Sequence, residues 1–408
     1  MFRKCDAPWI KTKECTSELV NVVNVDDICD ARNTAKILEH ACLRGNIYIV
    51  KRALEHEIKN INLPHCLRNA CIGGHHEGQN HEGQNHEGQN HEGQNHEGQN
   101  HEGQNHEGQH HEGQNHEGQN RGIVDLMIEL GDNRWGANMW GSDTWDWVLE
   151  GACEGGRRDI VMLAIERGAT DWNNGLRGAC KGGHVYIVDL MIERGANDWN
   201  YGFLGACEGG HVDLMMMMIA RGADDWNEGL NGACFRGHLD IAKFIINKNG
   251  LQLGANNWNE GLYSACEGGH LDLVMLMIEK GADDWNRGLY SACEEGHCGL
   301  ATLMIDRGAN DWNGGLFFAC EGGHCNAATL MIEWGADDLD MGLRNACLHG
   351  HRDIVMLMIE QGAENWNEGL CYACDGCQRD LATLMIKRGA TNGHHILLRG
   401  MTDSHILL

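Results

Sequence analysis

The stretch GLYSACEGGHLDLVMLMIEKGADDWN, residues 261–286, decides how this chain folds. Its second half sets Leu271, Leu273, Val274, Leu276, Met277 and Ile278 ahead of Gly281, an apolar set at helical spacing closed by a glycine stop. Its first half, Leu262 to Glu267 ahead of Gly268 and Gly269, is rich in small residues and reads as a short helix ending in a turn. Two helices this short cannot hide their apolar faces within one helix–turn–helix. They must stack on copies of themselves, each Leu or Met buried between neighbours contributing about 1.5–3 kcal/mol.

The copies are present. Ala-Cys recurs at 41–42, 70–71, 152–153, 179–180, 206–207, 233–234, 265–266, 292–293, 319–320, 346–347 and 373–374, mostly at intervals of 27 residues. The first interval is 29, and one is 32 because NKNGLQLGA near residue 250 carries five extra residues. The longest, 82, contains nine consecutive pentapeptides over residues 76–120, all His-Glu-Gly-Gln-Asn except that His110 replaces one Asn, and their removal leaves 37. The expected fold is an all-α helix–turn–helix solenoid of about 11 repeats. Its parts are a lead-in or cap over 1–33, repeats 1–2 beginning over 34–75, the low-complexity insert 76–120, the remaining repeats over 121–390 and a tail over 391–408.

The run ACEGGHLDLVMLMIEKGAD, residues 265–283, resembles the ankyrin repeat, which joins a small-residue pair, Gly-His, a Leu-rich second helix and a terminal Gly-Ala-Asp. Two departures stand out. The family's Thr-Pro-Leu-His opening is absent, since NEGLYSAC keeps only the Leu and the whole chain has two prolines. The repeat is also about six residues shorter than the family's 33, between Gly-Ala and the next first helix, where the family's β-hairpin finger sits. Fingers are therefore expected to be reduced or absent. Shortened arrays of this kind resemble those of large DNA viruses. The resemblance implies protein–protein interaction and no catalysis.

Composition excludes other partners. Lys plus Arg number 32 against 59 Asp plus Glu, a formal charge of −27, which disfavours nucleic acid and acidic membrane surfaces. No apolar run approaches a membrane span, and the start lacks the apolar core of a signal peptide. A cytoplasmic location follows, the host-cell cytoplasm if the viral likeness holds. Of 19 cysteines, 11 sit in the repeated Ala-Cys, so they read as reduced core residues rather than a disulfide framework.

Four patterns invite chemistry. His106-Glu107-Gly108-Gln109-His110 fits the zinc-peptidase pattern, which needs a helix, but a glycine every fifth residue opposes one. The Gly-His histidines His75, His184, His211, His238, His270, His297, His324 and His351 stand one repeat apart, about 8–10 Å, too far to share a zinc. They read as packing and turn-capping residues. Cys371, Cys374 and Cys377 form C-x-x-C-x-x-C without a fourth ligand. Trp172, Trp199, Trp226, Trp258, Trp285, Trp312 and Trp366 recur in the linking segment and read as covers for helix ends, while Met215 to Met218, Met275 and Met277 read as core. No nucleophile–base pair or phosphate loop stands out, so neither enzyme activity, a metal nor a cofactor is expected.

Recognition should lie where repeats differ. Two residues before Ala-Cys stand Glu39, Arg68, Glu150, Arg177, Leu204, Asn231, Tyr263, Tyr290, Phe317, Arg344 and Cys371. In ankyrin-like stacks this first helix lines the concave face. Tyr263, Tyr290 and Phe317 would then form an aromatic row continued by Arg344 and edged by Glu267, Glu294 and Glu321, suited to a basic or amphipathic segment of another protein. The long connection GDNRWGANMWGSDTWDW, residues 131–147, offers Trp135 and Trp140 as a second contact region. Two alternatives remain open. The pentapeptide tract, with ten histidines and nine glutamates, could respond to metal or pH, or the array could be structural with no dedicated ligand.

Overall fold

The computed structural model describes residues 142–247 and 255–391 continuously, helix 63–72, and short pieces at 38, 41–44, 50–51 and 124–125. Every regular element among them is an α-helix, and the chain divides into two compact units, residues 1–197 and 198–408.

The first unit holds α1 (Leu63–Ile72), α2 (Ser142–Glu154), α3 (Arg158–Glu166), α4 (Trp172–Gly182) and α5 (Val185–Arg194). Here α1 packs on α2 and α2 on α4, so first helices on either side of the pentapeptide tract in sequence are neighbours in space. The second unit runs α6 (Trp199–Gly209), α7 (Val212–Arg221), α8 (Trp226–Arg236), α9 (Leu239–Asn247), α10 (Trp258–Glu267), α11 (Leu271–Lys280) and α12 (Trp285–Glu294). It continues with α13 (Cys298–Arg307), α14 (Trp312–Gly322), α15 (Cys325–Trp334), α16 (Leu339–His349), α17 (Arg352–Gln361), α18 (Trp366–Asp375) and α19 (Arg379–Arg388). Within the second unit each even-numbered helix packs on the next even-numbered one and on the second helix of its own repeat, the arrangement of an all-α helix–turn–helix solenoid.

The first helices begin earlier than the sequence reading placed them. In the quoted stretch α10 opens at Trp258, not Leu262, because Asn257 caps it: the Asn257 side chain accepts from the Glu260 N–H at 3.3 Å. Asp284, Asp311 and Asp338 do the same for α12, α14 and α16 at 3.2, 3.0 and 3.1 Å. Each such cap satisfies an orphan donor at a helix N-terminus and stabilises by about 1 kcal/mol. The tryptophans are therefore the first helical residues rather than linker residues. Between α11 and α12 only Gly281 to Asp284 remain, and among the described residues no connection carries a strand. Gly281, at φ 109°, ends α11 by letting the Ala282 N–H turn back to the Met277 carbonyl at 3.0 Å.

The core follows from this register. Leu262, Ala265 and Cys266 of α10 and Leu273, Val274 and Met277 of α11 are all but completely buried, and the equivalent residues repeat through both units. Leu271 and Met275 correct the sequence reading, being 53% and 43% exposed, and Met216 is 42% exposed. One turn apart on the second helices, they lie on the face away from the first helices, which the helical period alone did not separate from the core face.

Two polar bridges join successive repeats. The Asn that follows the first Trp of a first helix accepts from backbone N–H groups of the next connection: Asn259 from Asp283 and Asp284 at 2.8 and 3.1 Å, Asn286 from Asn310 and Asp311 at 2.9 and 3.1 Å. The Gly-His histidine reaches back instead. His238 and His270 approach the Glu208 and Phe235 carbonyls at 2.9 and 3.2 Å through Nε2, and since a carbonyl only accepts, Nε2–H is the donor.

Candidate functional site

On a first helix that buries Leu262, Ala265 and Cys266, residues three and four apart at 260, 263 and 267 form the opposite stripe. Successive helices therefore align Glu260, Tyr263 and Glu267 with Arg287, Tyr290 and Glu294, then with Phe317 and Glu321, then with Arg344. All are half-buried, leaving part of each side chain open to solvent.

Within this row the aromatics are held by polar neighbours. Arg287 makes a two-pronged pair with Glu260, one arm at 2.6 Å, and lays its guanidinium over the Tyr263 ring, 4.6 Å from the centroid. Tyr290 donates its hydroxyl to Asp311 and stacks on Phe318 at 5.2 Å, and Phe318 meets Phe317 edge-on at 5.1 Å. Arg344 donates to Glu368 at 2.8 Å and lies 6.0 Å from the Tyr372 ring. The sequence reading named Tyr263, Tyr290, Phe317 and Arg344 but not their neighbours Arg287, Asp311, Phe318 and Glu368, nor Glu260, which holds Arg287. Helical register would have shown Glu260 and Arg287, three residues before the variable position.

The carboxylates stand differently in the two compact units. In the first, Arg68 pairs with Glu150 and Glu154 at 3.3 and 3.2 Å, and Lys181 pairs with Glu154 at 2.9 Å, so the face neutralises itself. In the second, Glu267, Glu294 and Glu321 have no cation within ion-pair distance among the described residues. Burial raises the Glu267 carboxyl above its ordinary pKa, with Glu295 adding to it. Glu294 is raised by burial, then by Glu321, Glu295 and Glu267. The result is a concentrated negative edge beside an aromatic row.

Cys266, Cys293 and Cys320 are fully buried, and burial pushes each thiol up to about 12. No group of three or more metal-ligating side chains gathers among the described residues. Nor is any helix among them long and apolar enough to cross a membrane. The tryptophans lie over the ends of second helices: Arg221 stands over Trp199 at 5.2 Å, and a Cβ at Gly335 would meet Trp312 at 3.5 Å. Trp135, Trp140, the zinc-peptidase-like pattern and the pentapeptide tract lie outside the described residues.

The histidines predict a pH effect. Burial lowers His238 and His270 below the ordinary imidazole value, neighbouring histidines lower them further, and the carbonyl each faces acts in the opposite direction. The unfolded chain therefore binds these protons more readily. Their contribution is intact above about pH 6.5 and is lost as pH falls from there through the lowered folded values. Glu267 and Glu294, being raised, act with opposite sign at lower pH. Gln378 occupies the histidine position in the last described repeat, so glutamine fits this turn. Urea midpoints at pH 7.5 and 5.5 should fall less in the His238→Gln, His270→Gln double variant than in the parent chain.

Residues 230–313 match the family model described as ankyrin repeats (3 copies). Among solved structures, the chain is similar to the crystal structure of the human ASB11 ankyrin repeat domain, with 19% identity over 43% of this chain and 99% of that one, at a TM-score of 0.33. No curated protein matches.

Proposed function

We propose that this chain, of which residues 230–313 match the ankyrin-repeat family model, is a non-enzymatic, protein–protein interaction scaffold of the cytoplasm. It holds a basic, amphipathic segment of a partner against the first helices of residues 258–344. The observation that carries this reading is the row Tyr263, Tyr290 and Phe317, half-open to solvent beside Glu267, Glu294 and Glu321, carboxylates with no cation within ion-pair distance among the described residues. The aromatics supply apolar contact area with few rotamers to freeze, and the carboxylates select and steer a cationic chain. Arg287, over Tyr263, pairs with Glu260, so its charge is answered within the row and the edge of Glu267, Glu294 and Glu321 stays acidic.

The test is a titration of fluorescent Lys- and Arg-rich amphipathic helical peptides against the full chain and against its Tyr263→Ser, Tyr290→Ser, Phe317→Ser variant. Two or three anchoring side chains at roughly 1–2 kcal/mol each imply a loss of about 100-fold in affinity at unchanged helicity. Binding should also weaken with added salt. Equal affinity in the two proteins would remove the row as a binding surface. Lost helicity would show instead that these residues hold the stack.

A further inference from the structure

The last described repeat departs from the others at one turn. Between first and second helix, the described repeats carry Gly156, Gly183, Gly210, Gly237, Gly269, Gly296, Gly323 and Gly350, all at positive φ. In the last of them the position belongs to Cys377 at φ 58°, the one non-glycine residue with positive φ among the described residues. A side chain in that backbone conformation is strained. The fold thus carries this thiol against a local cost.

Earlier repeats show where it points. A Cβ built on Gly323 would meet His351 at 2.7 Å, and one on Gly350 would meet Gln378 at 2.7 Å, both in the following repeat. The repeated cysteine faces the same way: Cys320 Sγ lies 3.2 Å, and Cys266 Sγ 3.5 Å, from a Cβ built on Gly342 and Gly288 of the following repeats. Beyond α19 no further described repeat covers these positions. Cys374 is half-buried where Cys320 and Cys347 are fully buried, and Cys377 is exposed. The Cys377 N–H donates to the Cys374 carbonyl at 2.9 Å. A turn so closed holds its end Cα atoms within about 7 Å, near the 4.4–6.8 Å that a disulfide spans.

We propose that Cys374 and Cys377 form a reversible oxidation site that closes to an intramolecular disulfide when a hydroperoxide reacts with it. The exposed Cys377, as thiolate, attacks a peroxide oxygen. The O–O bond breaks, its electron pair leaves with the other oxygen, which takes a proton and departs as water or alcohol, and Cys377 becomes a sulfenic acid. Cys374 then gives up its proton and attacks that sulfur. The S–O bond breaks and hydroxide leaves as water. Two thiols lose two electrons in all, and the peroxide gains them. Burial and the neighbouring Cys371, Asp375 and Cys377 raise the Cys374 thiol, which leaves the first step to the exposed Cys377. Cys371 is one helical turn from Cys374, where Cβ atoms stand about 5–6 Å apart, beyond the 3.5–4.5 Å of a disulfide.

The experiment treats the full chain with equimolar hydrogen peroxide, alkylates the remaining thiols and maps the peptides by mass spectrometry. A Cys374–Cys377 link, reversed by dithiothreitol, formed in the parent and in Cys371→Ser but absent from Cys377→Gly, is expected. Cys377→Gly restores the glycine of the other repeats and should raise the urea midpoint of the reduced protein, so its failure to oxidise could not come from misfolding. A Cys371–Cys374 link, overoxidation of Cys377 without a link, or oxidation confined to other cysteines would overturn the proposal.

Discussion

Gly288→Val should destabilise the middle of the second compact unit by about 3 kcal/mol, and combining it with Met304→Ala should cost less than the two substitutions cost separately. A Cβ built on Gly288 lies 2.7 Å from Met304 Sδ, and the same approach recurs for Gly261 with Met277, Gly315 with Met331 and Gly342 with Met358 at 2.6, 2.5 and 2.7 Å. The missing side chain of the first helix is the space into which the methionine of the second helix fits. The chain carries the inverse solution in α2 and α3, where Val148 takes the glycine's place in the repeat and Ala164 the methionine's, both fully buried. Met304→Ala alone should cost about 2–5 kcal/mol through the cavity it leaves. The double substitution should therefore fall short of the sum by roughly 1–3 kcal/mol. Native-state hydrogen exchange of amides in α12 and α13 reads this locally, which suits an array whose repeats need not unfold together. Strict additivity would mean the two positions do not share a space.

The second expectation concerns the bridge between connections. Asn286→Ala should cost about 1–2 kcal/mol, because it removes the acceptor for the Asn310 and Asp311 N–H groups at 2.9 and 3.1 Å, the latter belonging to the cap of α14. Asn286→Asp should lose much less. Aspartate fills the same role twice in this chain, Asp146 accepting from Thr170 and Asp171 at 2.6 and 2.9 Å and Asp340 from Glu364 and Asn365 at 2.9 Å each. Urea midpoints of the two variants separate the hydrogen bond from any general effect of substitution. Equal loss in both would assign the effect to the amide nitrogen instead.

The repeat was legible because every copy restates the same contacts. Leu262, Ala265 and Cys266 recur at one spacing and lie in one core, and Gly281 marks a true helix end. The start of the first helix was not legible from apolar spacing, since Asn257 and Asp284 announce it through a side-chain hydrogen bond rather than through hydrophobicity. The exposed face was legible only in outline. Tyr263 and Tyr290 stood out by type, while their partners Arg287 and Asp311 lie 24 and 21 residues further along and meet them only after stacking.

What the sequence determined by itself is therefore the period, the helical class and the core of the first helices, because those depend on local spacing repeated many times. Tertiary structure alone decided which charges are neutralised: Arg68 reaches Glu150 across 82 residues of chain, whereas Glu294 gathers the field of Glu267 and Glu321 from the helices on either side. Such pairings depend on the distance between stacked helices, and no spacing along a single repeat encodes that distance.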